Sequence, residues 1–178
     1  MRAGAISDVS KFEGRRVLIT GAAGSVGAAL CGRLASARGI TLGLLDHADH
    51  ALLRLADSLP DACVELLLGN VRDSRALTRS VSAFAPDIVI HAAALKHVHL
   101  GELHPGECVL TNLIGVRNAL AAAHAAGAED FLLVSSDKAA APLCLMGACK
   151  RLAELYLCGF SAEHASAPRV AAVRFVNV

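Results

Sequence analysis

The sequence predicts an α/β fold, a doubly wound parallel sheet with helices on both faces. Two patterns predict it. Six short runs rich in Val, Ile and Leu alternate with segments of helical spacing along the chain, and strand–helix–strand repetition builds a parallel sheet covered on both faces. The runs are mostly continuously apolar, as in strands buried on both sides. A length of 178 residues fits one domain, with residues 1–14 as a lead-in and 15–178 as the domain.

The elements follow in order. Val17–Thr20 is the first strand. Ser25–Arg38 follows, with Leu30 and Leu34 four apart on one helical face. Thr41–Asp46 is the second strand, and Ala48–Ser58 is a helix carrying Leu52 and Leu55, with Leu59 just past its end. Cys63–Gly69 is the third strand, and Ser74–Phe84 is a helix with Asp73 as its N-cap. Asp87–His91 is the fourth strand, and Pro105–Ala126 reads as one long helix ending near Gly127. Phe131–Ser135, a helix over Leu143–Phe160 and the strand Val170–Val176 complete the pattern.

Composition excludes several classes. Hydrophobic residues are 54%, charged residues 19% and aromatics 3%, so the core is built from Ala, Leu and Val, and disorder is excluded. Few rings argue against a single-strand nucleic-acid binder. A net charge of +1 supplies no basic field for nucleic acid or an anionic membrane. No apolar stretch reaches the roughly 20 residues of a spanning helix. Arg2, Asp8, Lys11 and Glu13 leave no apolar signal-peptide core, and the chain is expected to be cytoplasmic. The six cysteines, at 31, 63, 108, 144, 149 and 158, show no CxxC spacing. They read as reduced, buried thiols, with no metal site expected.

The run Thr20-Gly21-Ala22-Ala23-Gly24-Ser25-Val26-Gly27 joins the first strand to the first helix. It reads as a dinucleotide site. Gly21 permits the tight turn, Gly24 lets backbone approach a pyrophosphate, and Gly27 lets helix and sheet pack closely. Helix-start N–H groups at Ser25 and Val26 face the phosphates. Asp46 ends the second strand about 20 residues on, where an acid binds ribose hydroxyls. This favours NAD, with NADP left open because Arg54 and Arg72 lie nearby in sequence. Asn70 and Val71, after the third strand, are placed at the adenine, or form a simple turn. Ala92, Ala93 and Ala94 let backbone pass beside the cofactor.

Ser135-Ser136-Asp137-Lys138 ends the fifth strand, at the edge where open α/β sheets bind ligands. Met146 and Lys150 are four apart on the next helix and share a face.

These residues carry a resemblance. The chain resembles the extended short-chain dehydrogenase/reductase superfamily, whose cofactor domain is Rossmann-type. More narrowly, it is similar to CapD-like polysaccharide biosynthesis proteins and UDP-N-acetylglucosamine 4,6-dehydratases. The match rests on the glycine turn, His91-Ala92-Ala93-Ala94-Leu95-Lys96-His97-Val98, Thr111-Asn112 with Gly115 and Asn118, Ser136-Asp137-Lys138-Ala139, and Met146-Gly147-Ala148 with Lys150-Arg151-Leu152-Ala153-Glu154-Leu155-Tyr156. It runs from about Gly14 to Val178.

The resemblance implies NAD or NADP, a UDP-sugar substrate and a 4-keto-6-deoxy product. It places Ser136 at the sugar C4 oxygen. Asp137 becomes the acid for the C6 hydroxyl, Lys138 the base for C5, and Lys150 the lysine on the nicotinamide ribose. Lys96, His97 and Asn177 fall on the sugar side, and Asn112 supports a proton relay. It also implies a homo-oligomer through Pro105–Ala126 and Leu143–Phe160.

Departures accompany the match. Met146 stands where the superfamily has Tyr, and a thioether takes no proton. Tyr156 has Phe160, not a lysine, four residues on. Ser136 replaces Thr, Asn70 replaces Asp, His99 replaces Pro, and Val176 replaces Gly. The pattern ends at the strand after which the family builds its sugar pocket. Cofactor binding is therefore expected to survive better than catalysis, and a non-catalytic cofactor-binding module and an epimerase or reductase stand as alternatives.

Overall fold

The computed structural model describes residues 9–59 and 61–176. Six strands form one parallel sheet in the order β3-β2-β1-β4-β5-β6. They are β1 (Arg16–Thr20), β2 (Thr41–Asp46), β3 (Cys63–Leu68), β4 (Ile88–His91), β5 (Asp130–Ser136) and β6 (Arg169–Phe175). The helices are α1 (Ser25–Leu34), α2 (Asp49–Asp57), α3 (Ser74–Phe84), α4 (Val98–Leu103), α5 (Pro105–Val109), α6 (Gly115–Ala125) and α7 (Leu145–Glu163). This is a doubly wound, Rossmann-type sheet. Chain order reverses between β1 and β4, which places a crevice at their carboxyl ends.

Strand periodicity divides the core. Val17, Ile19, Leu42, Leu44 and Ile90 face α1 and α2 with Cys31, Leu34, Leu52 and Leu55. Leu18, Leu45, Val89, Phe131 and Leu133 face α3, α6 and α7 with Val81, Phe84, Leu120 and Leu157. Successive residues point to opposite faces, so each central strand feeds both clusters. Phe84 needs room in this layer. A Cβ on Gly43 would stand 2.9 Å from its ring, and the Arg16 guanidinium covers that ring at 4.4 Å.

Four expectations are corrected. β3 and β6 are edge strands and largely exposed, including Leu66, Leu68, Val173 and Phe175. Continuous apolarity marks burial on both faces only where neighbours flank the strand. The first helix stops at Leu34, four residues short of Arg38, because the chain turns through Gly39 at φ +69° to enter β2. The long helix is α5, one π-helical segment over Leu110–Ile114, and α6; α4 precedes it. Cys31, Cys108 and Cys149 are buried, but Cys63 and Cys158 are exposed.

Asp73 caps α3 by accepting from the Ala76 N–H at 2.9 Å. Among the described residues, no helix is long and apolar enough to cross a membrane.

Candidate active site

Two adjoining cavities occupy the carboxyl edge and share Gly21, Gly24, Ala92 and Ala94. The first, of about 310 Å³, lies between the ends of β1, β2 and β3. The second, of about 620 Å³, lies between α1, the loop after β4, the end of β5 and α7.

The glycine turn forms their common wall. Gly21 has φ +67°, and a Cβ there would lie 2.6 Å from the Ala93 backbone. A Cβ on Gly27 would strike the Gly21 carbonyl and the Ala22 backbone. Gly24 is less crowded: a Cβ there would stand 3.3 Å from the Gly21 carbonyl, and Gly24 lines both cavities. Ser25 and Val26 open α1 and line the second cavity.

Asp46 lines the first cavity and is 7% exposed. Its carboxylate accepts from Ala23 N–H at 3.0 Å and Ala48 N–H at 3.1 Å. A buried acid held by two amides still has lone pairs to offer a diol. Asn70 accepts from the Arg72 N–H at 3.0 Å, forming an Asx turn at the cavity rim. Val71 beside it is buried against Gly115. Arg72 pairs with Glu107 and donates to Thr111 at 3.0 Å.

Ala92, Ala93 and Ala94 follow β4 as the small-residue rim. Beneath them the Thr20 hydroxyl and His91 Nδ1 are 2.9 Å apart. His91 is fully buried, and burial, reinforced by Lys150, pulls it down to about 3, so it is a neutral strut.

Lys96 and His97 both line the second cavity. The Lys96 amine donates to the Ser25 hydroxyl at 2.9 Å, which sets its charge over the start of α1. Asn112 lines neither cavity. It is buried in the π-helical segment, where its Oδ1 accepts from Leu95 N–H at 2.8 Å and its Nδ2 donates to Leu95 C=O at 2.9 Å. This reciprocal pair fixes the loop carrying Lys96. A π turn at a functional loop is a recurrent placement.

Ser136 and Lys138 line the second cavity with Met146 and Lys150. Asp137 turns back. It accepts from Ser136 Oγ and Lys138 N–H, each at 2.9 Å, and pairs with the Lys138 amine at 3.3 Å. The Ser136 hydroxyl and then the Lys138 amine hold its carboxyl below the usual range. Lys150 is 4% exposed and donates to the Val134 carbonyl at 2.9 Å. Burial pulls its amine down to about 8. Gly147 seats α7 on this loop, because a Cβ there would stand 2.6 Å from the Lys138 carbonyl. Asn177 lies outside the described residues. Among those residues no cluster of three metal-ligating side chains occurs.

The sequence reasoning missed three supports. Asn118 donates to the Val71 and Arg72 carbonyls at 3.0 and 3.2 Å and holds the loop after β3. Glu102 accepts from the Leu145 N–H at 2.7 Å and caps α7. Glu154 gathers Ser135 and Arg174. Asn118 and Glu154 lie in the stretches that carry the family resemblance, whereas Glu102 lies in none of them.

The chain is similar to known proteins. EpsC of Bacillus subtilis, a probable polysaccharide biosynthesis protein, is 35% identical over 97% of this chain and 29% of its own length. An inverting UDP-N-acetylglucosamine 4,6-dehydratase of Campylobacter jejuni is 31% identical over 94% of this chain and 50% of its own. The solved structure of Pen from Bacillus thuringiensis superposes with a TM-score of 0.86 at 27% identity, over 92% of this chain and 50% of that one. The chain thus spans half or less of the length of these proteins. The polysaccharide biosynthesis protein profile matches residues 17–178, which takes in the glycine turn, both cavities and α7, and the chain belongs to that family.

Proposed function

We propose that the chain is the NAD(P)-binding and catalytic-loop half of a nucleotide-sugar 4,6-dehydratase of polysaccharide biosynthesis, acting on a UDP-N-acetylglucosamine-like substrate. One observation carries the reading: Ser136, Lys138, Met146 and Lys150 surround a cavity that joins the glycine-turn cavity along a shared wall.

The residues fit a dinucleotide. Asp46 suits the adenosine ribose, Asn70 and Val71 the adenine, and Gly24, Ser25 and Val26 the pyrophosphate. Lys96, anchored to Ser25, fits that anion better than a sugar. Lys150 suits the nicotinamide ribose. When bound, NAD(P) supplies a reversible acceptor for the hydride of sugar C4.

The chain's own groups move the protons. Ser136 polarises the C4 oxygen. The 4-keto group makes the C5 proton acidic; Lys138, in its neutral form, takes it and hands it back to C5 once C6 has been reduced. Asp137 delivers a proton to the departing C6 hydroxyl, so one water leaves in total. Asp137 is held ionised by Ser136 and Lys138. It therefore gains a proton to donate only after the site has taken one up, and the C4 hydroxyl is the source at hand. Met146 accepts none, which leaves Asp137 or Lys138, with Ser136, for that step. The Asp–Lys pair favours a dehydratase over an epimerase, whose reaction leaves the C6 hydroxyl in place and needs no acid and base for its elimination.

Met146 also supports the second reading, a module that binds cofactor without turnover. Incubation of the chain with NAD⁺ and UDP-N-acetylglucosamine separates the two. A product lighter by one water supports the dehydratase; cofactor binding with no product supports the module. Retention of C4 oxidation in both Lys138→Ala and Asp137→Asn would sink the proton assignment. Exposed Leu103, Leu110, Leu152 and Leu155 on α4–α7 and the π segment favour a homo-oligomer, and a monomeric mass by light scattering counts against it.

A further inference from the structure

Beside the second cavity, which Ser135 lines, lies a part-buried polar junction that the dehydratase chemistry does not use. Glu154, on α7, is 8% exposed. Its Oε1 accepts from Ser135 Oγ at 2.6 Å and from Arg174 Nε at 2.9 Å. Its Oε2 accepts from Arg174 Nη2 at 2.6 Å and from Arg151 Nη1 at 3.4 Å. The Arg174 contact is a two-pronged fork, the strong and directional form of such a pair. Ser135 and Arg174 are partners in the β5–β6 register, and the next partners, Ser136 and Phe175, both line the cavity. One carboxylate thus grips the register pair immediately before the pair that forms the cavity wall.

The same carboxylate stands four residues, one helical turn, after Lys150, close enough to act on it. The other groups that act on the Lys150 amine are the Cys149 thiol on α7, the Cys108 thiol on α5 and His91 on β4. Its hydrogen-bond acceptor is the Val134 carbonyl.

We infer that Glu154 is a positioning residue: it locks the ends of β5 and β6 against α7, one helical turn from Lys150, whose amine is bonded to the neighbouring strand residue Val134. The inference rests on reading the cleft as a dinucleotide site. It gives the junction a role beyond stability, because the groups it fixes are the Ser136 hydroxyl and the Lys150 ammonium.

The test uses the full chain, its Glu154→Gln and Arg174→Lys variants, and two readouts. Lysine side-chain carbon NMR, with Lys150→Arg assigning the resonance, reads the amine directly. Calorimetry from pH 6 to 9.5 reads NAD⁺ affinity. Glu154→Gln keeps the size but loses the charge and the grip on β5 and β6, and the Lys150 midpoint falls. An unchanged midpoint in a folded Glu154→Gln overturns the proposal. Arg174→Lys keeps both charges but not the fork. NAD⁺ affinity then falls severalfold while the Lys150 midpoint stays. Should Glu154→Gln not fold, wild-type affinity in a folded Arg174→Lys overturns the proposal on its own. Failure of NAD⁺ to bind the unmodified chain, with the Lys150 shift present, sinks the dinucleotide reading and supports the role of Glu154.

Discussion

The Lys96 amine lies 2.9 Å from the Ser25 hydroxyl, bridging the loop after β4 to the first residue of α1. The contact brings a cation to a helix start whose free N–H groups already favour an anion. Lys96→Ala is expected to raise the Kd for NAD⁺ about tenfold, the worth of one charge-assisted hydrogen bond. Because Lys96 is exposed, unfolding stability changes by less than about 0.5 kcal/mol. Calorimetric titration at low and high salt checks this, with the loss smaller at high salt. Equal affinities of variant and unmodified chain would return Lys96 to the sugar side.

Gly24 and Gly27 separate binding from folding. Gly27→Ala drives a methyl into backbone of Gly21 and Ala22, which cannot turn aside as a side chain can. It is expected to cost about 2–3 kcal/mol and to abolish NAD⁺ binding. Gly24→Ala meets the same Gly21 carbonyl at the longer distance of 3.3 Å, a contact that a shift of a few tenths of an ångström relieves, and has φ −74°, which alanine adopts freely. That variant melts within a few degrees of the parent but binds NAD⁺ at least about tenfold more weakly, because the methyl takes pyrophosphate space. Thermal melts beside calorimetry distinguish the pair.

Lys150 is expected to be a stability cost that function retains. Its amine, pulled to about 8 by burial, protonates less readily in the folded chain than unfolded, where the reference is 10.5. The unfolded chain therefore binds more protons between these values, and stability rises as pH climbs from about 8 to about 10.5. Below that window the cost is full. Lys150→Met removes it, less the loss of the Val134 hydrogen bond, a net gain on the order of 1–2 kcal/mol at pH 7. Melting temperature rises while NAD⁺ affinity falls. A variant less stable than its parent at pH 7 would contradict this account.

The strands were legible because each is a short apolar run bounded by turn residues, and all six lie where the runs predict. Their burial was not, since exposure of Leu68 or Phe175 depends on the absence of a flanking strand, a property of sheet order. The site residues were legible as positions on one edge. Their contacts were not: spacing put Lys96 in the loop after β4, but only the fold brings Ser25, 71 residues earlier, within reach. Asn112 shows the same gap. Its helical position was evident, whereas the π turn that aims it at Leu95 has no signature in apolar periodicity. Glu154 was hidden for another reason, because its partners Ser135 and Arg174 come from two strands that pair only in the folded sheet.

Acid sensitivity follows from Glu154. The Arg174 fork, with Ser135 and Arg151, holds its carboxyl down at about 2 against a usual 4.5. The folded chain therefore resists protonation there, and the stabilisation is complete above about 4.5 and lost as pH falls towards about 2. Glu154→Gln forfeits it at every pH. At pH 7 the variant is expected to be less stable by on the order of 2–3 kcal/mol, and below about pH 2 it converges with the parent, whose Glu154 is then also uncharged. Urea midpoints at steps from pH 2 to pH 7 read the difference. A gap that stays constant down to pH 2 would show that shape, not charge, accounts for the role of Glu154 in stability.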